Sequence, residues 1–228
     1  MSMSVVILNW KRPDNLARIV IDLQRSGLTD DLLVWNNNSA SPLKLEQASV
    51  INASRDMGLY TRFAAACLAR HEAVLIQDDD LVVPLDSLRY LYNAWMREPD
   101  ILHGIFGRAA KPDGSYARDI RGDSEAPIIL TRALIAHRSH AAQFFVHLPE
   151  FMHLLQMGCP VGNGEDIVFS YVARRTAGRL HRVHRLTVEE LPAPDPIHGR
   201  HWLRHVAHRT AVMQAAETWL AAKGACPS

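Results

Sequence analysis

An α/β fold on a mostly parallel sheet is expected from three observations. Short apolar runs rich in Val, Ile and Leu recur at residues 5–8, 32–35 and 73–76. Segments of helical periodicity follow them. Each run breaks abruptly into a polar loop, as strands buried on both faces do.

Residues 5–8 read as the first buried strand, and Asn9-Trp10-Lys11-Arg12-Pro13 as the loop after it. Pro13 suits the first turn of a helix, where its missing N–H is not needed. Leu16, Ile19, Val20 and Leu23 give that helix an apolar face, and Gly27 ends it. Residues 32–35 form the second strand, which ends at Asn36-Asn37-Asn38-Ser39. A short strand is read at 49–51, a loop containing Gly58 after it, a small-residue helix over 63–69 and a fourth strand over 73–76. After Pro84 a helix runs to about Arg97, with Leu88, Leu91, Tyr92 and Trp95 on one face. This β-then-α order places helices on both faces of a parallel sheet.

Past residue 100 the pattern changes. Strands are read at 101–106 and 128–130, with a hairpin or irregular insert between them. A helical segment covers 137–156, interrupted near Pro149. A loop spans 158–164 and a helix 165–176. Pro192, Pro194 and Pro196 make a stiff connector, and a final helix runs from about His201 to Lys223.

With 228 residues, 48% of them hydrophobic, the chain is long enough for one α/β domain with an ordinary core. A formal net charge of +1 gives no global field to draw in nucleic acid. Cys67, Cys159 and Cys226 are far apart, so three reduced, mostly buried thiols are expected rather than a finger or a disulfide framework. Neither a secretory signal pattern nor an apolar stretch of membrane-spanning length is visible. The cytoplasm is the expected compartment, with peripheral membrane contact left open.

Asp78, Asp79 and Asp80 follow directly on an apolar strand. Ligands of open α/β sheets gather at such strand ends. Clustered carboxylates repel one another and resist desolvation, and a hard divalent cation relieves both. Mn²⁺ or Mg²⁺ takes oxygen ligands and keeps substrate phosphates among them. A solvated acidic turn ahead of the helix near Pro84 is the plainer reading.

Several segments then resemble, in order, those of GT-A-fold glycosyltransferases with a D-x-D motif, and more narrowly the exostosin-like transferases. They are Val34-Trp35-Asn36-Asn37, Leu75-Ile76-Gln77-Asp78-Asp79-Asp80, Trp95 followed by Pro99-Asp100 and Gly104-Ile105-Phe106, Asn163-Gly164-Glu165-Asp166-Ile167, and His201, His205 and Arg209 at H-x-x-x-H-x-x-x-R spacing. Glu165 replaces an aspartate of the family pattern. Thr131-Arg132-Ala133 stands where the family has G-A-S.

The resemblance implies an α/β/α sandwich with a mostly parallel central sheet and a C-terminal helix. It implies a nucleotide-binding half over residues 1–100 and an acceptor-binding half over 101–228. The donor would be a nucleotide sugar, UDP-linked, and the acceptor a glycan, glycolipid or other hydroxyl compound. Asp80 would be the direct metal ligand, with Asp78 on the metal or the ribose and Asp79 beside them. Asn9, Arg12, Asn36 and Arg62 would hold the nucleotide; amides suit uracil because they both donate and accept. Asp166, with Glu165, would sit under the sugar ring, reached by backbone through Gly162-Asn163-Gly164. Arg209 would face the diphosphate or the acceptor side, and His205 phosphate or metal.

Each assignment has a plainer counterpart. Acids at a helix start serve as caps, an Asn-rich loop is a tolerant turn, and Arg62 suits an exposed helix face. Residues 201, 205 and 209 share one helix face, because each step of four drifts only about 40°. A basic face, or a zinc site from His198, His201 and His205, is the rival there. Trp35, Trp95 and Trp219 belong to apolar faces, while Trp10 and Trp202 can stack on a base or sugar. Retention is the outcome the resemblance implies. An inverting enzyme with Asp166 as general base, a sugar-phosphate nucleotidyltransferase and a binding module without turnover stay open.

Overall fold

The protein is described by a computed structural model covering residues 2–157, 163–193 and 202–223. The chain opens with β1 (Met3–Asn9), α1 (Pro13–Ser26), β2 (Thr29–Asn36), β3 (Ser49–Asn52), α2 (Thr61–Cys67), β4 (Ala73–Asp78), β5 (Leu81–Val82) and α3 (Leu85–Arg97). It continues with β6 (His103–Gly104), β7 (Gly107–Ala110), β8 (Tyr116–Ile120), β9 (Ser124–Ala126), β10 (Ile128–Ile129), β11 (Ala133–His137), α4 (Arg138–Met157), α5 (Glu165–Ala177), β12 (His181–Val183), β13 (Glu189–Glu190) and α6 (Trp202–Lys223).

The main sheet has eight strands in the order β3-β2-β1-β4-β11-β6-β12-β9. Neighbours β3, β2, β1 and β4 are parallel, and β11 and β9 run against the direction shared by the rest. The mostly parallel sheet expected from sequence is therefore present. β1 is buried along its whole length because both faces are covered. Alternate residues divide between two cores: Val6, Val74 and Ile76 pack with α2, α4, α5 and α6, while Val5, Ile7 and Leu75 pack with α1 and α3.

The second half departs from its sequence reading in three places. Ile128–Ile129 is a strand as read and joins a small sheet of order β10-β7-β8, while the strand beside β4 is Ala133–His137, which was not read as one. The Ala-flanked 133–137 segment lacks a turn signal before Arg138, so no strand was expected there. The strand read at 101–106 shortens to His103–Gly104. Gly104 is fixed by packing, since a Cβ there would meet Ile129 Cγ2 at 2.2 Å. α4 runs unbroken through Pro149, where an interruption was expected. Phe144, Leu148, Phe151 and Leu155 keep one buried stripe across the proline, and that packing outweighs one lost backbone hydrogen bond. In the first half, β2 and β3 are parallel neighbours joined by a loop, without a helix between them.

Trp95 and Trp219 are buried as read. Cys67 is exposed rather than buried, while Cys159, Cys226, Pro194 and Pro196 lie outside the described residues. No helix among the described residues is long and apolar enough to cross a membrane.

Candidate active site

β1, β2 and β4 end at Asn9, Asn36 and Asp78, on one edge of the sheet. Parallel register brings these three ends together from far apart in sequence. Asn9 Nδ2 donates to Asn36 Oδ1 at 2.9 Å, and Asn36 Nδ2 donates to Asn52 Oδ1 and to the Ser41 carbonyl, each at 2.9 Å. Asn36, read as a nucleotide ligand, is thus committed to shaping its own loop. Asn9 Oδ1 is buried without a hydrogen-bond partner among the described residues.

The three aspartates have different surroundings. Asp78 accepts from Arg62 Nη1 at 2.7 Å. Asp79 is buried and accepts from the Trp10 N–H at 2.8 Å and from Arg12 Nη1 at 2.5 Å. Burial lifts its carboxyl to about 6 against the pull of Arg12. Asp80 approaches Arg12 Nη1 at 3.2 Å through one oxygen, while its buried Oδ1 has no hydrogen-bond partner among the described residues. Desolvation and then the charge of Asp78 push the Asp80 carboxyl upward. Arg12, expected on the nucleotide, here neutralises the turn. Asn15, unmarked by any motif, donates to the Asp79 carbonyl at 3.0 Å and to the Pro192 carbonyl at 2.9 Å.

The second acidic pair opens α5. Gly164 stands before it at φ 96°, a conformation glycine adopts without strain, with Val212 against the open side. Glu165 and Asp166 are both buried. Arg209 Nη2 donates to both Asp166 carboxylate oxygens at 2.7 Å, and its Nη1 donates to Asn163 Oδ1 at 2.9 Å. Its guanidinium lies 4.5 Å over the Tyr116 ring. Arg209 thus faces Asp166, not an open diphosphate site. Asn163 Nδ2 donates to His205 Nδ1 at 3.0 Å. Gly162, His198, His201 and the side chain of Trp202 lie outside the described residues.

Arg62 joins the two acidic groups. It is buried, donates to Thr131 Oγ1 at 2.6 Å as well as to Asp78, and brings Nε within 3.7 Å of Glu165 Oε1. Burial works against its charge, but Asp78 and Glu165 more than offset that and hold it firmly protonated. Desolvation and the neighbouring Asp166 push Glu165 up to about 7. The result is a row of carboxylates interleaved with arginines along the mouth of the sheet.

Trp10 is partly exposed beside Asp79. A cavity of about 580 Å³ lies along the same edge, past the ends of β6 and β12, lined by Phe106, Arg121, His184, Leu186 and Glu190 among others. Tyr116 and Glu190 carried no signal in the sequence; only the fold brings them to the site.

Among the described residues no three His, Cys, Asp or Glu side chains form a metal cluster by themselves. A site of two carboxylates completed by substrate phosphates fits better. The unpartnered buried Oδ1 of Asp80, next to the more open Asp78, offers the oxygen donors a hard cation takes.

A parallel-edge site with strand-end aspartates, on this sheet order, places the chain in the GT-A fold class. A solved structure of GalNAc-T7 with UDP, GalNAc and Mn²⁺ shares the fold at a TM-score of 0.64, with 13% identity, over 86% of this chain and 44% of that one. A 2-C-methyl-D-erythritol 4-phosphate cytidylyltransferase from Thermus thermophilus is more distant, with a TM-score of 0.53 and 12% identity, over 93% of this chain and 99% of that one. The chain belongs to glycosyl transferase family 64, whose domain model matches residues 3–220. Exostosin-2 of Homo sapiens is 24% identical over 190 residues, covering 77% of this chain and 26% of that protein. Glycosyltransferase family protein 64 C3 of Arabidopsis thaliana is 24% identical over 182 residues, covering 75% and 49%. The chain thus spans about a quarter to a half of these relatives' length.

Proposed function

We propose that the chain transfers a hexose or N-acetylhexosamine from a UDP-linked donor to a hydroxyl of a glycan, glycolipid or other acceptor, with retention and with a divalent cation, Mn²⁺ or Mg²⁺. The observation that carries this reading is the Arg62 bridge between Asp78 and Glu165. It brings the strand-end carboxylates and the helix-start carboxylates together, the juxtaposition that a diphosphate and the sugar attached to it would need.

Asp80 and Asp78 are the residues to hold the cation, which when bound supplies charge stabilisation to the leaving diphosphate. Asn9 offers its free Oδ1 to the base, and Trp10 a ring face. Arg62 orders Asp78 and Glu165 and keeps the mouth of the sheet from accumulating negative charge. Asp166, gripped at both oxygens by Arg209, is a fixed anion rather than a mobile base. A fixed anion suits stabilising positive charge at the anomeric centre, with the acceptor arriving on the face the diphosphate leaves. That grip disfavours the inverting alternative, which needs Asp166 free to take a proton. The cavity beyond β6 and β12 gives an acceptor room on the 101–228 side.

A sugar-phosphate nucleotidyltransferase is the second reading, favoured only by the likeness of fold to the cytidylyltransferase. The loop Asn9-Trp10-Lys11-Arg12-Pro13 has no glycine to wrap a triphosphate. A thermal-shift screen of nucleotide sugars with and without Mn²⁺ tests the proposal, because a bound donor stabilises the fold by mass action. Turnover that releases UDP, with the product's anomeric configuration matching the donor's by NMR, is the expected result. Pyrophosphate release would transfer the assignment to the second reading, and an inverted product would remove retention.

A further inference from the structure

Arg132 stands where the family pattern has a small residue, and its surroundings are unusual for a partly exposed arginine. Its carbonyl accepts the Asp78 N–H at 3.1 Å, which fixes its backbone beside the acidic turn. Its guanidinium lies 4.6 Å over the Phe106 ring, and Nη2 donates to Glu190 Oε2 at 2.5 Å. The same Nη2 stops 3.8 Å from Asp80 Oδ1, beyond hydrogen-bond reach. That oxygen is the buried acceptor left without a hydrogen-bond partner among the described residues. Glu190 is tied to the turn in its own right. β13 pairs with β5 through Glu190 and Leu81, and the Leu191 N–H donates to the Asp80 carbonyl at 2.8 Å.

We propose that Glu190 holds Arg132 back from Asp80 Oδ1, and that this pair sets the affinity of the acidic turn for a divalent cation. The inference rests on the metal reading above. With Glu190 charged, Arg132 is neutralised and its reach is taken up, so Oδ1 keeps no donor that competes with a cation. Without that charge, Arg132 swings the short remaining distance onto Oδ1. It then competes for the oxygen and repels the incoming ion. Removing the charge of Arg132 instead leaves Glu190 as a third carboxylate beside Asp78 and Asp80, which attracts the ion. The two residues therefore act in opposite directions. Support of the fold alone would not do this, since it makes both losses point the same way. Both are positioning residues.

The test is Mn²⁺ binding to the full chain with saturating UDP, read as free Mn²⁺ by electron paramagnetic resonance. Glu190→Gln is expected to weaken Mn²⁺ binding by about three- to tenfold and Arg132→Gln to tighten it by a similar factor, the scale of one partly screened charge. The double variant should return close to wild type, the signature of a coupled pair. Melting temperatures of the metal-free variants should stay within a few degrees of wild type, because the pair is half-exposed. Single variants that bind like wild type, or that change in the same direction, would overturn the inference while Asp80→Asn still abolishes Mn²⁺ uptake. If Asp80→Asn binds Mn²⁺ as wild type does, the metal reading falls and takes this inference with it.

Discussion

Arg209 closes on Asp166 with one nitrogen, Nη2, donating to both carboxylate oxygens at 2.7 Å, and both residues are buried. The pair lies between α6 and the start of α5, so it ties the last described helix to the site. Asn163 and the Tyr116 ring complete the enclosure of the guanidinium.

Breaking one side of this pair leaves an uncompensated buried charge, which destabilises by about 3–5 kcal/mol. Asp166→Asn and Arg209→Ala should each lower stability on that scale in urea titrations. Asp166→Asn with Arg209→Gln should recover much of it, because neither charge then remains unpaired. Transfer activity should not recover in the double variant if Asp166 serves the anomeric centre. A double variant as active as wild type would reduce the pair to a structural clasp.

The legibility of this site in the sequence follows from where each residue sits. Asp78 to Asp80 end an apolar run, so a strand-end motif was visible without coordinates. Glu165 and Asp166 were visible as acids after a glycine turn. Arg62 was read as a nucleotide-side arginine only through the resemblance; its bridging role depends on α2 standing between the end of β4 and the start of α5, which no local pattern encodes. The same holds for Arg12, whose partner Asp79 lies 67 residues away. Tyr116 sits in the segment read as a hairpin or irregular insert, a reading that gave it no role, and β11 was missed because its residues lack the β-branched run that marked β1 and β4. Local pattern thus located the acids, while the identity of the cation facing each one is a tertiary fact.

Asp79 and Asp80 are adjacent, yet their replacements should act in opposite directions on stability. Asp79 is satisfied by the Trp10 N–H and by Arg12, so Asp79→Asn removes the shorter of that guanidinium's two carboxylate contacts and should lower the melting temperature. Asp80 is crowded by Asp78 and carries the unpartnered oxygen, so Asp80→Asn should leave the metal-free protein as stable or more so. With Mn²⁺ and UDP the order reverses for Asp80. Ligand at one hundred times its Kd adds about 2.7 kcal/mol, and Asp80→Asn should lose that increment. Calorimetric scans with and without Mn²⁺ and UDP check both halves. A metal-free Asp80→Asn protein markedly less stable than wild type would contradict the assignment.

Asn36 should behave as a scaffold residue. Asn36→Ala removes the partner of Asn9 Nδ2, the donor to Asn52 Oδ1 and the acceptor for the Asn38 N–H together. Unsatisfied buried groups of this kind cost about 1–3 kcal/mol each, with part of the loss met by water. The expected outcome is a clear fall in urea midpoint. Asn9→Ala should have a smaller effect on stability and a larger effect on UDP affinity, since Asn9 Oδ1 is the atom left free. Isothermal titration with UDP separates the two, and equal UDP affinity in Asn9→Ala and wild type would remove Asn9 from the nucleotide site.

The pH dependence of stability should show Glu165 acting against the buried histidines. Burial and Asp166 raise Glu165 from the ordinary glutamate range to about 7. A carboxyl raised in the folded state binds a proton there between about pH 4.5 and 7, where the unfolded chain does not. Stability from this group is therefore gained as pH falls through 7 and lost as pH rises. The histidines have the opposite sign. Burial lowers His181 to about 3 and His140 and His184 to about 4, so the unfolded chain takes up protons below about pH 6.5 that the folded chain refuses. Their contribution disappears as pH falls. Metal-free protein should accordingly melt highest near about pH 6.5 and lower on both sides. Glu165→Gln isolates the carboxyl, because it removes the loss on the alkaline side and steepens the acid limb above about pH 4.5, where Glu165 had offset part of the histidine contribution. Measured at about pH 8, that variant should be more stable than wild type by about 1–3 kcal/mol, once rearrangement of Arg62 is allowed for. A Glu165→Gln protein with an unchanged alkaline limb would show that Arg62 keeps Glu165 ionised throughout.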